Sequence, residues 1–140
     1  MRQILLFAAL AASLALLSGC ALSRAKADTA EDMTDKAAYH KLSAEEAYEM
    51  MASQEVVVVD VRTREEYDGG HIENAVLVPN ESIDSEMPEA LPDKEATLLI
   101  YCRSGRRSKY AAQKLLALGY QSVYDFGGVI DWPYELVKEG

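Results

Sequence analysis

Val56-Val57-Val58-Val59-Asp60-Val61 is the stretch that most narrows what this chain can become. A continuous β-branched run without polar alternation suits a strand covered on both faces, as in a parallel sheet held between helices. Ala75-Val76-Leu77-Val78 before Pro79, Thr97 to Tyr101, and Ser122-Val123-Tyr124-Asp125 read as three further strands. Ser43-Ala44-Glu45-Glu46 has the spacing of a capping box and predicts a helix through Met51. Arg106 to Leu118 carries one apolar stripe of Ala111, Ala112, Leu115, Leu116 and Leu118, with Gly119 as its cap. Strands alternating with helices predict an α/β fold around a mostly parallel sheet, with ligands at the carboxyl ends of its strands.

One such end holds Cys102. Leu99-Ile100-Tyr101-Cys102-Arg103-Ser104-Gly105-Arg106-Arg107-Ser108 runs from an apolar strand into a short arginine-rich loop and then into a helix. A thiol over several backbone N–H groups, at a helix N-terminus and among three guanidinium groups, is expected to have a lowered pKa and to react as a thiolate. The flanking Arg, Ser and Gly are poor core residues, which argues against a cysteine that merely fills space. With a formal net charge of −9, the chain is not expected to take a nucleic-acid partner. Arg103, Arg106 and Arg107 are a local exception in an acidic chain and point to a small anionic ligand.

The N-terminus says where such chemistry would happen. Met1-Arg2-Gln3 supplies a positive charge, Ile4 to Leu17 is almost wholly apolar, and Leu17-Ser18-Gly19-Cys20 places small residues before a cysteine. Residues 1–19 therefore read as a cleaved export signal. The apolar run is shorter than the ~20 residues a helix needs to cross a bilayer. The four residues ending at Cys20 also resemble the lipobox of bacterial lipoproteins. That resemblance implies a lipid on Cys20, an anchor in a membrane, and a domain outside the cytoplasm on the periplasmic or extracellular face. Residues 20–40 lack a sustained apolar period and are expected to be a tether, leaving 41–140 as one folded domain. If Cys20 is lipidated, Cys102 has no disulfide partner within the molecule, and an unpaired thiol outside the reducing cytosol points to use.

Four segments in order resemble a single-domain rhodanese over roughly residues 41 to 138. They are Asp60-Val61-Arg62-Thr63-Arg64-Glu65-Glu66-Tyr67, Gly70-His71-Ile72-Glu73-Asn74-Ala75, Tyr101 to Ser108, and Gly127-Gly128-Val129-Ile130-Asp131-Trp132. The resemblance implies a rhodanese-like fold, with a central parallel sheet flanked by helices on both faces. It also implies a sulfurtransferase that carries sulfane sulfur on Cys102 as a persulfide. A small anionic donor such as thiosulfate would supply the sulfur, and cyanide, a thiol or a protein acceptor would remove it. Arg103, Ser104, Gly105, Arg106, Arg107 and Ser108 would cradle the substrate. Arg107 would hold the anionic part of the donor while Arg103 or Arg106 raises the potential at the entrance. In the family Asp60 and Arg62 are supports, and the segment around His71 is architectural. Gly127, Gly128 and Trp132 mark a final turn and helix with a packing role.

The loop from Cys102 to Arg107 has six residues, as in the sulfurtransferases; related phosphatases and arsenate reductases have one more and end Cys-x5-Arg, where this chain has Ser108. The resemblance therefore implies a cradle that takes sulfur rather than phosphate. Two departures from the family pattern, Glu73-Asn74 in place of Pro-Gly and Pro133 directly after Trp132, lie outside that loop. One domain cysteine with His40 and His71 offers no zinc spacing, and no phosphate-loop or dinucleotide signature is present, so no metal or dissociable cofactor is expected. Two other readings of Cys102 stay open at this point. One is a persulfide- or anion-binding module at the cell envelope, and the other is a redox sensor that forms mixed disulfides or a sulfenic acid.

Overall fold

The computed structural model describes residues 39–139. The expected leader, Cys20 and the tether up to residue 38 lie outside the described residues. No described helix is long and apolar enough to cross a membrane.

Five strands, β1 (Tyr39–Lys41), β2 (Val57–Asp60), β3 (Val76–Leu77), β4 (Thr97–Cys102) and β5 (Ser122–Gly128), form one sheet in the order β1-β5-β4-β2-β3. Every pairing is parallel. Among the described residues three α-helices are interleaved: α1 (Ala44–Ser53), α2 (Arg64–Asp68) and α3 (Arg106–Ala117).

Successive side chains of a strand point to opposite faces, and β4 shows the consequence. Leu98, Ile100 and Cys102 enter one core with Val59, Val61 and Val123 under Ala111, Ala112 and Leu115 of α3. Leu99 and Tyr101 enter the other with Val58 and Phe126, covered by Ala47 of α1 and Tyr67 of α2. Helices thus lie on both faces, which is why the central strands read as unbroken apolar runs.

The helix ends follow their sequences. Ser43 caps α1 and Thr63 caps α2, each in a full capping box with Glu46 and Glu66 respectively. Helix α3 starts at Arg106 as expected, and its end closes with Gly119 N–H on Leu116 O and Tyr120 N–H on Leu115 O.

Two expectations need correction. Tyr39 and His40, assigned to the tether, belong to β1, whose register is Tyr39–Val123, His40–Tyr124 and Lys41–Asp125. The segment after Gly128 is a single 3-10 turn, Val129–Asp131, not a longer helix. Pro133 follows within two residues and has no N–H with which to extend a helix.

Candidate active site

The carboxyl end of β4 delivers Cys102 to the floor of the loop, where the residue is only 1 % exposed. The thiol is free, and Gly105 N–H donates to Sγ at 3.0 Å. The Cys102 thiol donates to Ser108 Oγ at 3.6 Å, and the Ser108 hydroxyl donates to Gly105 O at 3.1 Å. Burial pushes the thiol up, but once it ionises the Ser108 N–H, the Ser108 hydroxyl turned toward the sulfur, and the N–H groups of Gly105 and Ser104 outweigh it, so the net shift is downward. The sulfur therefore has apolar strand and helix residues behind it and polar hydrogens in front. Arg103, Ser104 and Arg106 stand exposed on the rim above it.

Gly105 makes this geometry available. Its φ is +94°, a left-handed conformation that a residue with a Cβ adopts at a cost. That turn aims its N–H at Sγ and starts α3 at the next residue. The backbone also approaches closely from β5. A Cβ on Gly128 would fall 2.5 Å from Ser104 Cα and closer still to Arg103 O.

The three arginines separate in the structure. Arg107 lies across a half-buried interface from Glu66 of α2, with both terminal nitrogens donating to the carboxylate at 2.8 Å. Arg107 holds the Glu66 carboxyl at about 2, with burial opposing and the Thr63 N–H assisting. Arg107 stays electrostatically coupled to Cys102, after its stronger link to Glu66. The guanidinium expected to hold the anionic part of the donor is thus also paired with a carboxylate. Among the described residues, Arg103 and Arg106 are the loop guanidinium groups with no carboxylate partner.

Asp60 and Arg62 lie behind the site, on the opposite face of the sheet from Cys102. Arg62 Nη2 donates to Asp60 Oδ2 at 2.6 Å and to Gly70 O at 2.7 Å, and Tyr101 Oη donates to Asp60 Oδ2 at 2.7 Å. Ile72 N–H then donates to Tyr101 Oη, so β2, β4 and the Gly70–Ile72 segment share one buried network. His71 is buried, stacked on Tyr67 at 3.6 Å, with Nδ1 2.9 Å from Tyr67 O. That environment is architectural.

Two contributors escaped the sequence reading. Glu66 could have been flagged by its Thr63-x-x-Glu66 spacing, although its pairing with Arg107 spans 41 positions and leaves no local trace. Asp125, which its sequence context marks only as a strand residue, is fully buried and carries the turn beside the loop.

This arrangement has recognisable counterparts. The rhodanese-like domain family model matches residues 43–133. A tRNA uridine(34) hydroxylase of Yersinia pestis is 32 % identical over 106 residues, covering 72 % of this chain and 30 % of that protein. The chain thus spans about a third of the length of the curated relatives it matches. A rhodanese-like domain protein from Staphylococcus aureus is 31 % identical with a TM-score of 0.62, over 72 % of this chain and 99 % of that one. The human single-domain sulfurtransferase TSTD1 is 27 % identical with a TM-score of 0.60, over 66 % and 93 %. Since the matched residues 43–133 include all five strands but β1 and the whole Cys102 loop, the chain belongs to the rhodanese-like domain family.

Proposed function

We propose that the protein is a sulfurtransferase that moves sulfane sulfur through a persulfide on Cys102. The observation that carries this reading is the Cys102 sulfur at the floor of a six-residue loop, receiving Gly105 N–H at 3.0 Å and shifted toward the thiolate. The Cys102 thiolate attacks the outer sulfur of a thiosulfate-like donor. A sulfur–sulfur bond forms to Sγ, the bond to the sulfonate sulfur breaks, and sulfite leaves with that electron pair. A nucleophilic acceptor then attacks the terminal sulfur and returns Cys102 as thiolate; with cyanide the product is thiocyanate. No proton transfer is needed when the thiol starts ionised, consistent with the buried, ring-stacked His71.

The N–H groups of Ser104, Gly105 and Ser108 stabilise charge on the thiolate and on the persulfide, and Arg103 and Arg106 raise the potential at the rim. Turnover of thiosulfate with cyanide, followed as thiocyanate, should be measurable for the wild type and abolished in Cys102→Ser. Equal thiocyanate formation by both proteins would overturn the reading.

We further propose that Cys20 carries a lipid anchor, a reading supported by the sequence from Leu17 to Cys20. The domain would then work outside the cytoplasm on a lipid tether. Expression of the whole chain in a bacterium should place it in the membrane fraction, and Cys20→Ser should release it. An unchanged distribution would refute the anchor.

A further inference from the structure

Asp125 is a fully buried carboxylate that the sulfur chemistry does not use directly. Its Oδ1 accepts Gly127 N–H at 2.9 Å. Its Oδ2 accepts the Tyr39 hydroxyl at 2.6 Å and lies 3.6 Å from Lys41 Nζ. Three independent groups, two of them on β1, thus converge on one side chain. Gly127 has a φ of +91° and sits where the β4–β5 register slips, Ile100 facing Asp125 but Cys102 facing Gly128. This is a bulge held by an aspartate two residues upstream, a form of turn in which the side chain fixes the backbone.

The cysteine loop closes against that bulge. Gly127 Cα lies 3.4 Å from where a Gly105 Cβ would be, and Gly127 O accepts the Ser108 hydroxyl at 3.4 Å. Gly105 and Ser108 are two of the residues whose polar hydrogens favour the thiolate. We propose that Asp125 is a positioning residue for Cys102: it sets the Gly127 bulge, and the bulge sets the two loop residues that hydrogen-bond the sulfur. Through Tyr39 and Lys41 the same carboxylate ties β1 to the reactive site.

The inference builds on the sulfur-transfer reading only in calling Cys102 the reactive group, and its test does not need turnover. Among the described residues, the charged groups around the loop are Arg103 and Arg106 at the rim, Arg107 with Glu66 and the more distant Glu81, Lys41 from β1, and Asp125 itself. Charge and position act on the thiol with opposite signs. Removing a nearby negative charge favours the thiolate, whereas loosening the N–H donors disfavours it.

The experiment is the pH profile of Cys102 alkylation by iodoacetamide in the wild type, Asp125→Asn and Asp125→Ala, with folding checked by circular dichroism. Asparagine keeps an acceptor for Gly127 N–H and removes the charge; alanine removes both. The expected result is an upward shift of the alkylation midpoint in Asp125→Ala, with a rate near neutrality about three- to tenfold lower, corresponding to half to one pKa unit. Asp125→Asn should show no upward shift. An unchanged Asp125→Ala profile, a downward shift in both variants, or an equal upward shift in both would overturn the proposal. Should Asp125→Ala fail to fold, Gly127→Ala takes its place, since a Cβ there meets only Lys41 Nζ, at 3.9 Å, and strains the bulge through φ alone. Slower alkylation by folded Gly127→Ala supports the proposal, and an unchanged profile overturns it.

Discussion

Replacing Glu66 by Gln should destabilise the domain at neutral pH and leave it unaffected in strong acid. The Glu66 carboxyl is held near 2 against an ordinary 4.5, chiefly by Arg107. That depression of roughly 2.5 units corresponds to at most about 3.4 kcal/mol at about 1.36 kcal/mol per unit. The paired side chains are 27 % and 29 % exposed, so solvent screening reduces the figure, and about 1–2 kcal/mol is expected. The sign follows from the folded pKa lying below the unfolded one. The contribution is complete above the unfolded value and is lost as pH falls from about 4.5 through 2. Glutamine retains an acceptor for Thr63 N–H, so the α2 cap survives and the ion pair is what changes. Urea unfolding of wild type and Glu66→Gln across this range should show an offset of about 1–2 kcal/mol at neutrality that closes as the carboxylate protonates. An offset independent of pH, or none at neutrality, would refute the reasoning.

Gly128→Ala should abolish alkylation-competent folding of the Cys102 loop or the fold itself, because the new Cβ meets Arg103 and Ser104 backbone; wild-type thermal stability together with wild-type alkylation would contradict this. Tyr101→Phe should cost about 1–3 kcal/mol in urea unfolding, since it strips a donor from buried Asp60 Oδ2 and leaves Ile72 N–H without its acceptor. Trp132→Phe should cost less than that, because the indole Nε1 is buried with no hydrogen-bond partner among the described residues. Doubly substituting Arg103 and Arg106 by Ala should raise the apparent KM for thiosulfate and weaken its salt dependence, without moving the denaturation midpoint; a KM insensitive to both substitutions would remove their assigned role.

The parts of this molecule that were legible in the sequence are those set by local pattern. The valine run of β2, the capping box at Ser43 and the strand-to-loop-to-helix passage around Cys102 each carry their geometry in consecutive residues. Strand β1 leaves no local signal because Tyr39-His40-Lys41 has no β-branched run, and its existence depends on register against β5. The fate of Arg107 was not legible either, since three arginines within five residues look alike until α2 offers a carboxylate to one of them. Asp125 shows the same limit. An aspartate within a strand carries no local signal until Tyr39, Lys41 and Gly127 converge on it.

The central claim is that Cys102 carries transferable sulfur, and mass spectrometry of the protein after thiosulfate treatment tests it most directly. The account predicts one additional sulfur on the Cys102 peptide, absent from Cys102→Ser and removed by cyanide. A Cys102 peptide that stays unmodified, or an adduct that cyanide leaves in place, would contradict it.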